Sequence, residues 1–546
     1  MQLLPLVGFI SLAAAQSTSE AQDTTAFALS YGYPLLAWQS AYAPVVGEIG
    51  ANIWNHAREL RSAEDRTVVK PNVDTLYSTL VYDLSQSDVE ITIPDVPEDS
   101  FKLFSFYDPF GDNFANIGTG GFFEPGSYLV RPYDRPGGSS NVGLQIVSLG
   151  GSSTGYIGSI NSPTLYGILL VRWGVNATNA DTVHGWQDQC EVNVLAPAGS
   201  TMNTTAPPRL ESLISVYDEE NRPAENVLNL LARFAPSNAP SELEAAGISD
   251  GDYMPVSSVD LPQANSTALA MAMQAAADPD NLVTLNNGWS VLSPELIGVY
   301  GTNYALRTII AISGYLALRN PYAVYPTYSN DSEADANAFL TIGADEAVFI
   351  TFSGKPPLQE AGFWSLTAYG DDYFLIPNDE DVYALGDRSN ITYANGQRVY
   401  GFNNDDRDGV FQILIQPADV APPANWTNNW LPAPSGGGEV IAQLRFFAGE
   451  DPLINGDYVY PVLEKMAALG SSASSSGNGT SSSDSTPTSS PDSSPTSGSG
   501  SSSGPSSGSS ASPTSGSTGE SASSSLVGSA LLAFLVCLTA TIFIFP

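Results

Sequence analysis

Cysteine is almost missing from this chain: Cys190 and Cys537 are the only two among 546 residues. Cys537 falls in an apolar terminal run, so Cys190 stands alone in the folded part and reads as simply buried. That excludes an intramolecular disulfide framework and any cysteine metal site. Stability must come from the core, and the length allows two or three domains, each with its own. Histidine is as scarce, with only His56 and His184. A site of three histidines is therefore excluded, and no mixed His/carboxylate set has ligand spacing. Each His is read as a hydrogen-bonded structural residue, and the chain as one with no metal and no cofactor. Lysine occurs four times (Lys70, Lys102, Lys355, Lys465), and 19 basic residues stand against 57 acidic ones, a net charge of −38. Without Lys/Arg clusters there is no basic face for phosphates, which excludes nucleic acid as a partner. Phosphate loops and dinucleotide fingerprints are missing as well.

What the chain does have is clearest at its ends. Residues 1–15 read as a signal peptide, with an apolar Leu3–Leu12 segment and Ala13-Ala14-Ala15 before Gln16, although no Lys or Arg precedes it. Residues 468–525 form a Ser/Thr/Gly/Pro stalk that cannot bury apolar surface. Residues 526–546 are an uncharged apolar tail, and small residues such as Ser515, Gly516, Ser517 and Gly519 offer a lipid attachment site before it. This is the arrangement of a glycosylphosphatidylinositol (GPI) signal, preferred here to a single-pass helix because no basic cluster follows the tail. Seven Asn-x-Ser/Thr sequons (Asn176, Asn203, Asn265, Asn330, Asn390, Asn425 and Asn478) fit the same secreted route. The expected location is extracellular, at a eukaryotic and in particular fungal cell surface, held to plasma membrane or wall by the lipid.

Between the ends the hydrophobic period changes twice. Residues 25–60 suit one or two leading helices. The stretch Arg66–Leu84 then turns over Lys70-Pro71-Asn72 and leaves with alternating residues. Val89–Ile93 alternates and stops at Pro94, and Phe101–Tyr107 is apolar on both faces, as a central strand is. Short strands with Gly-rich turns continue to Val171, the pattern of a β-sandwich. From Arg209 to Asn320 the period is helical, in Ala224–Phe234, Ser266–Ala277 and Tyr304–Leu318. Strands return in Ala347–Phe352, Phe363–Tyr369, Val410–Gln416 and Gln443–Phe447. The chain is thus mainly β with a helical connector: leading helices and an N-terminal sandwich over 25–200, the connector with an insertion over 201–325, and a C-terminal sandwich over 326–467.

Motifs that could carry chemistry are few. Gly151-Ser-Ser-Thr-Gly155 has the outline of a nucleophile elbow but no helix signal after it, so it reads as a loop. Asn404-Asp-Asp-Arg-Asp-Gly409 resembles half a calcium loop, yet Ile415 stands where the closing Glu should be, so it reads as a hairpin turn. Asp74, Asp83, Asp108, Asp112, Asp371 and Asp372 lie at strand ends, where capping explains them as well as acid–base work does.

Several stretches together resemble a known two-part family, domains of unknown function 1254 and 1214. In the first half these are Arg66–Leu84, the strand into Tyr107-Asp108, and Ser162-Pro-Thr164 with Arg172. In the second half they are Asn303–Thr308, Asn320–Pro326, Pro356-Pro357, Phe363–Tyr369, Leu385–Ser389, Asn429–Pro434 and Leu444-Arg445. The resemblance implies an immunoglobulin-like N-terminal β-sandwich and a C-terminal jelly-roll, and no established reaction. The insertion around Pro197–Leu285, the stalk and the tail depart from simpler members. Two functions follow as expectations. One is a surface glycoprotein that binds wall polysaccharide or another small ligand through Tyr369, Tyr373, Trp426 and Trp430. The other is a secreted hydrolase whose cleft between the β-domains gathers Asp74, Tyr77, Arg172, Arg307, Tyr369 and Arg445 as acid–base groups and an anion clamp.

Overall fold

The computed structural model describes residues 6–66, 70–134, 141–146, 155–176, 178–196, 207–214, 223–238, 243–249, 251–328, 340–401 and 409–470. All of them fall in one of the two units into which the chain divides. The elbow-like match at 151–154, the loop at 402–408, the stalk, the tail, and Asn203, Asn330 and Asn478 lie outside the described residues.

The first β-region is two sheets on one core. One sheet runs, in spatial order, Trp54–His56, Thr75–Asp83, Tyr166–Gly174, Lys102–Tyr107, Asn113–Gly118; the other runs Glu191–Leu195, Asp88–Ile93, Gly126–Pro132, Gly158–Ser162, Gly143–Ile146. Alternation decides which face is buried. Leu76 and Leu80 of the first sheet meet Val89 and Ile91 of the second, with Phe104, Phe106, Val130 and Trp173 between them. Phe101–Tyr107 was expected to be central, and the strand Lys102–Tyr107 is buried along its whole length, paired on both sides.

The second β-region is built alike. Ala323–Val324, Gly438–Gly449, Leu358–Tyr369 and Ala384–Gly386 make one sheet, and Trp430–Ala433, Phe411–Pro417, Glu346–Phe352 and Val462–Ala467 the other. Phe352, Trp364, Phe411, Ile413 and Phe446 fill the shared core. The protein is mainly β, as its sequence pattern suggested.

A helical layer covers the opposite face of the first sheet. It consists of Leu6–Ile49, Pro223–Asn238, Leu261–Ala277 and Tyr304–Gly314. Trp38, Leu29 and Leu35 pack there against Val227, Leu231 and Phe234, and the same cluster takes in Leu103, Ile168 and Leu170 of the sheet. Asp260 caps Leu261–Ala277 by accepting from the Gln263 amide, and Asn303 caps Tyr304–Gly314 through Leu306. The last helix was expected to reach Leu318 but ends at Gly314. Tyr315 is extended and Leu316 takes a left-handed conformation with φ 64°.

Candidate functional site

The Lys70-Pro71-Asn72 turn is held from the second β-region. The Lys70 amide donates to Tyr373 O at 2.7 Å, the Tyr369 hydroxyl to Pro71 O at 2.7 Å, and Arg445 Nη2 to Lys70 O at 3.4 Å. Asn72 Oδ1 accepts from the Asp74 amide, closing the turn. Pro71 does keep Lys70 out of the right-handed helical region, and it settles at φ 48°; Tyr373 is at φ 65°. Lys70 and Tyr373 are thus two bulky left-handed residues joined by a hydrogen bond, and such backbone strain persists where surrounding contacts over-determine it.

Lys70 and the left-handed Leu316 both line a cavity of about 510 Å³ between the two β-regions and the helical layer. Tyr77, Leu170 and Arg172 line it from the first sheet, Tyr325, Gln443 and Arg445 from the second region, and Lys70, Asn72 and Arg61 from the loop that joins Trp54–His56 to Thr75–Asp83. The remaining wall comes from the helical layer, including Leu306, Ile309 and Ile310, and from the stretch before its last helix, including Leu292 of the strand Trp289–Leu292 and Ile297. Among the described residues no aspartate or glutamate lines it.

Its cations are unusually placed. Arg172 is 6% exposed; it donates to the Tyr107 hydroxyl at 3.3 Å and to Leu316 O at 3.4 Å, with the Tyr77 ring 5.8 Å away. Arg445 is 7% exposed and donates to Thr367 Oγ1 at 3.1 Å and the Tyr369 hydroxyl at 2.8 Å. Neither makes an ion pair with a carboxylate among the described residues. Burial is the largest influence on Arg172 and opposes its charge; the phenols of Tyr107, Tyr77 and Tyr325 outweigh it, and the guanidinium stays protonated. Burial in turn pushes the Tyr107 phenol up, and that of Tyr325 up to about 12 against the pull of Arg172. Asp74 contributes to the field at Arg445. Its carboxylate, however, takes Arg388 Nη2 at 2.7 Å and the Ser365 hydroxyl.

The six residues expected to share a cleft therefore divide. Tyr77, Arg172 and Arg445 line the cavity, with Tyr369 behind Arg445. Asp74 is turned away to Arg388, whose Nη1 also donates to Asp74 O and Val175 O; it ties the two β-regions together. Arg307 is elsewhere. Its neighbours Leu306, Ile309 and Ile310 face the cavity, but one residue further round the helix turns Arg307 toward Asp112 and the Tyr31, Phe110 and Tyr304 rings. The aromatic platform is also corrected in part. Tyr369 and Trp430 are buried, Trp430 Nε1 donates to Gln416 O, and Trp426 is half-buried against Phe349. Tyr373 is half-buried, 5.2 Å beneath Lys70 Nζ. The strand-end carboxylates cap: Asp83 accepts from the Ser85 and Leu210 amides, and Asp108 from the Phe110 and Asp112 amides. Asp371 is exposed, and Asp372 pairs with Arg66.

One constellation escaped the sequence reading. His56 Nδ1 lies 2.7 Å from Ser78 Oγ, which has the look of a nucleophile–base pair. Ser78 Oγ already accepts from Trp173 Nε1 at 2.9 Å and Gln187 Nε2 at 3.2 Å, so its proton goes to His56 and its lone pairs are spent. Ser78 is fully buried and burial lowers His56 to about 4, which makes this a packing node. Only the pairing of Trp54–His56 with Thr75–Asp83 brings the two together, a non-local fact. His184 binds Arg58 O through Nε2, and burial raises the Cys190 thiol to about 12.

Fold and cavity define a protein of two linked β-regions with a cationic pocket at their junction. The comparisons with known proteins are more specific. Residues 51–193 match the family described as protein of unknown function (DUF1254), and residues 322–451 the one described as protein of unknown function (DUF1214). In this order the two segments span half of the chain, and the chain belongs to that two-part family. No curated protein matches it. A crystal structure of a protein from Vibrio parahaemolyticus is similar, with 17% identity and a TM-score of 0.53 over 82% of this chain and 100% of that one. An uncharacterised protein from Burkholderia cenocepacia aligns over 85% of this chain and 98% of its own, at 12% identity and a TM-score of 0.35. The first likeness shows a shared fold. Among the described residues no helix is long and apolar enough to cross a membrane, and no group of three His, Cys, Asp or Glu could hold a metal.

Proposed function

We propose that this chain is a secreted, surface-displayed glycoprotein that binds a small organic anion in the cavity between its β-regions. The observation that carries the reading is the pair Arg172 and Arg445: both buried, both on the cavity wall, neither paired with a carboxylate. A buried cation without a counter-charge is destabilising, and a bound carboxylate would supply one. The volume suits a small molecule and not a polysaccharide chain. The buried positions of Tyr369 and Trp430 take two of the four aromatic residues away from any open platform for sugar rings. A hydrolase with paired carboxylates is less well supported, since among the described residues no acid lines the wall and Asp74 is held by Arg388.

Secretion and lipid anchorage rest on residues 1–15, the stalk and the tail, together with the exposed sequons Asn176, Asn390 and Asn425. Asn265 sits half-buried on a helix and accepts from the Tyr33 hydroxyl, so it is the weakest acceptor of the four described. With a net charge of −38 the outer field repels an anion, so affinity must come from contact and the on-rate should rise with salt. The test is thermal stabilisation of the full chain by a panel of small organic anions. Arg172→Gln with Arg445→Gln is expected to weaken binding by roughly a hundredfold, from charged hydrogen bonds of about 1.5–3 kcal/mol each. A panel without effect, or a double variant that binds as well as the parent, would sink the reading.

A further inference from the structure

The cavity has two chemically different walls. The first sheet, the loop leading into it and the second β-region contribute Arg172, Arg445, Lys70, Tyr77 and Gln443, whereas the helical layer and the stretch 282–297 contribute mostly aliphatic side chains and, among the described residues, no charge. Of the hydroxyls on that second wall, those of Tyr42, Ser290, Ser313 and Tyr315, Ser313 donates to Ile309 O and Tyr315 to Pro109 O inside the protein. Leu292, Ile297 and Ile310 are half-buried, leaving apolar surface open to whatever enters. The walls also differ in origin. The cationic residues lie within the segments 51–193 and 322–451 that match the two family regions, and Leu292, Ile297, Leu306, Ile309 and Ile310 lie between those segments.

Resting on the anion-binding reading, we infer that the ligand is a monocarboxylate with an aliphatic body, its carboxylate between Arg172 and Arg445 and its body against Leu292, Ile297, Leu306, Ile309 and Ile310. A monoanion fits better than a phosphate dianion. Each guanidinium already spends two or more donors on neutral oxygens, and Asp74 offsets part of the field at Arg445. The few N–H donors that remain on the two guanidiniums suit the two oxygens of one carboxylate. The aliphatic wall would gain about fourfold in affinity per methylene added to the ligand, until the cavity is full. The division of origin gives the two walls different tasks: the family-matched segments hold the head, and the segment between them sets which body is accepted.

Calorimetric titration of the full chain with butanoate, octanoate, dodecanoate and hexadecanoate, with octanol, dodecyl phosphate and inorganic phosphate alongside, tests this. Affinity should climb with chain length to an optimum and then fall, and octanoate should exceed octanol by at least tenfold. Arg172→Gln with Arg445→Gln should erase the preference for octanoate over octanol. Ile310→Trp should move the optimum to a shorter chain while keeping that preference. Ala317→Leu, a smaller intrusion on the same wall, serves if the first variant does not fold. Equal binding of octanoate and octanol, or tighter binding of dodecyl phosphate than dodecanoate, would overturn the head assignment. Binding of small polar anions with no gain along the series would overturn the aliphatic body and leave the anion site standing. No binding at all would remove both.

Discussion

Arg307 and Arg172 are both buried guanidiniums set among tyrosine rings, yet they meet the cost of burial differently. Arg307 sits where the turn Asp108–Asp112 meets the helices Leu6–Ile49 and Tyr304–Gly314. It pairs with Asp112 at 3.2 Å, donates to Tyr31 O, and lies 4.7–4.9 Å from the centres of the Phe110, Tyr31 and Tyr304 rings. Its charge is answered inside the protein, so it acts as a structural clamp. Arg172 has only neutral partners, Tyr107 and Leu316 O, and opens on a cavity. A charge that the fold does not answer is better explained by a ligand than by stability.

The sharpest way to break this comparison is to remove each charge in turn. Arg307→Met strands Asp112 and Asp108 without a cation and should cost about 3–5 kcal/mol in denaturant unfolding. A loss under about 1 kcal/mol would deny that Arg307 is the clamp.

A smaller effect comes from the acid beside the clamp. Burial, then the charge of Asp112, pushes Asp108 from 3.8 up to about 7 against the pull of Arg307. Between those values the folded protein holds a proton that the unfolded chain has lost. Stability therefore rises as pH falls from about 7 toward 4, by up to about 1.4 kcal/mol per unit. His56, lowered from 6.5 to about 4, works in the opposite direction over most of that window. Asp108→Asn separates the two, because its amide oxygen can still accept from Phe110 and Asp112. The variant should exceed the parent by on the order of 2 kcal/mol above pH 7 and lose the rise on acidification. Identical pH profiles for parent and variant would rule Asp108 out.

The smallest change belongs to the cavity. Arg172→Met should alter unfolding by about 1 kcal/mol or less, since it replaces an unanswered charge with apolar volume. It should also abolish any stabilisation by an organic anion. If it costs as much as Arg307→Met, the two arginines do the same work and the functional distinction fails.

Much of the fold was legible because local pattern and tertiary burial agree. The alternation in Val89–Ile93, the doubly apolar Phe101–Tyr107 and the helical face of Ala224–Phe234 each report which side meets the core. The site was legible only in pieces. Tyr77, Arg172 and Arg445 stand at the positions that carried the family resemblance. Arg307 was grouped with them because it lies in the same kind of signature, Asn303–Thr308. A helix turns by about 100° per residue, so Leu306 and Arg307 face different partners, and no spacing rule says which of them faces the cavity. Tyr369 and Trp430 looked like exposed aromatics because their stretches are polar and rich in turns. Each is buried through pairing with strands distant in sequence.

The sequence by itself determined the mainly β class, the membership in a two-part family, the helical layer and the scarcity of cations, because each is a property of composition or of short-range period. Tertiary structure alone decided which cations remain unanswered. Asp74 and Arg172 lie in one region and Arg388 and Arg445 in the other. Coulomb pairing acts over a few ångströms, so it was the docking of the two regions that gave Asp74 to Arg388 and left Arg172 and Arg445 facing a cavity.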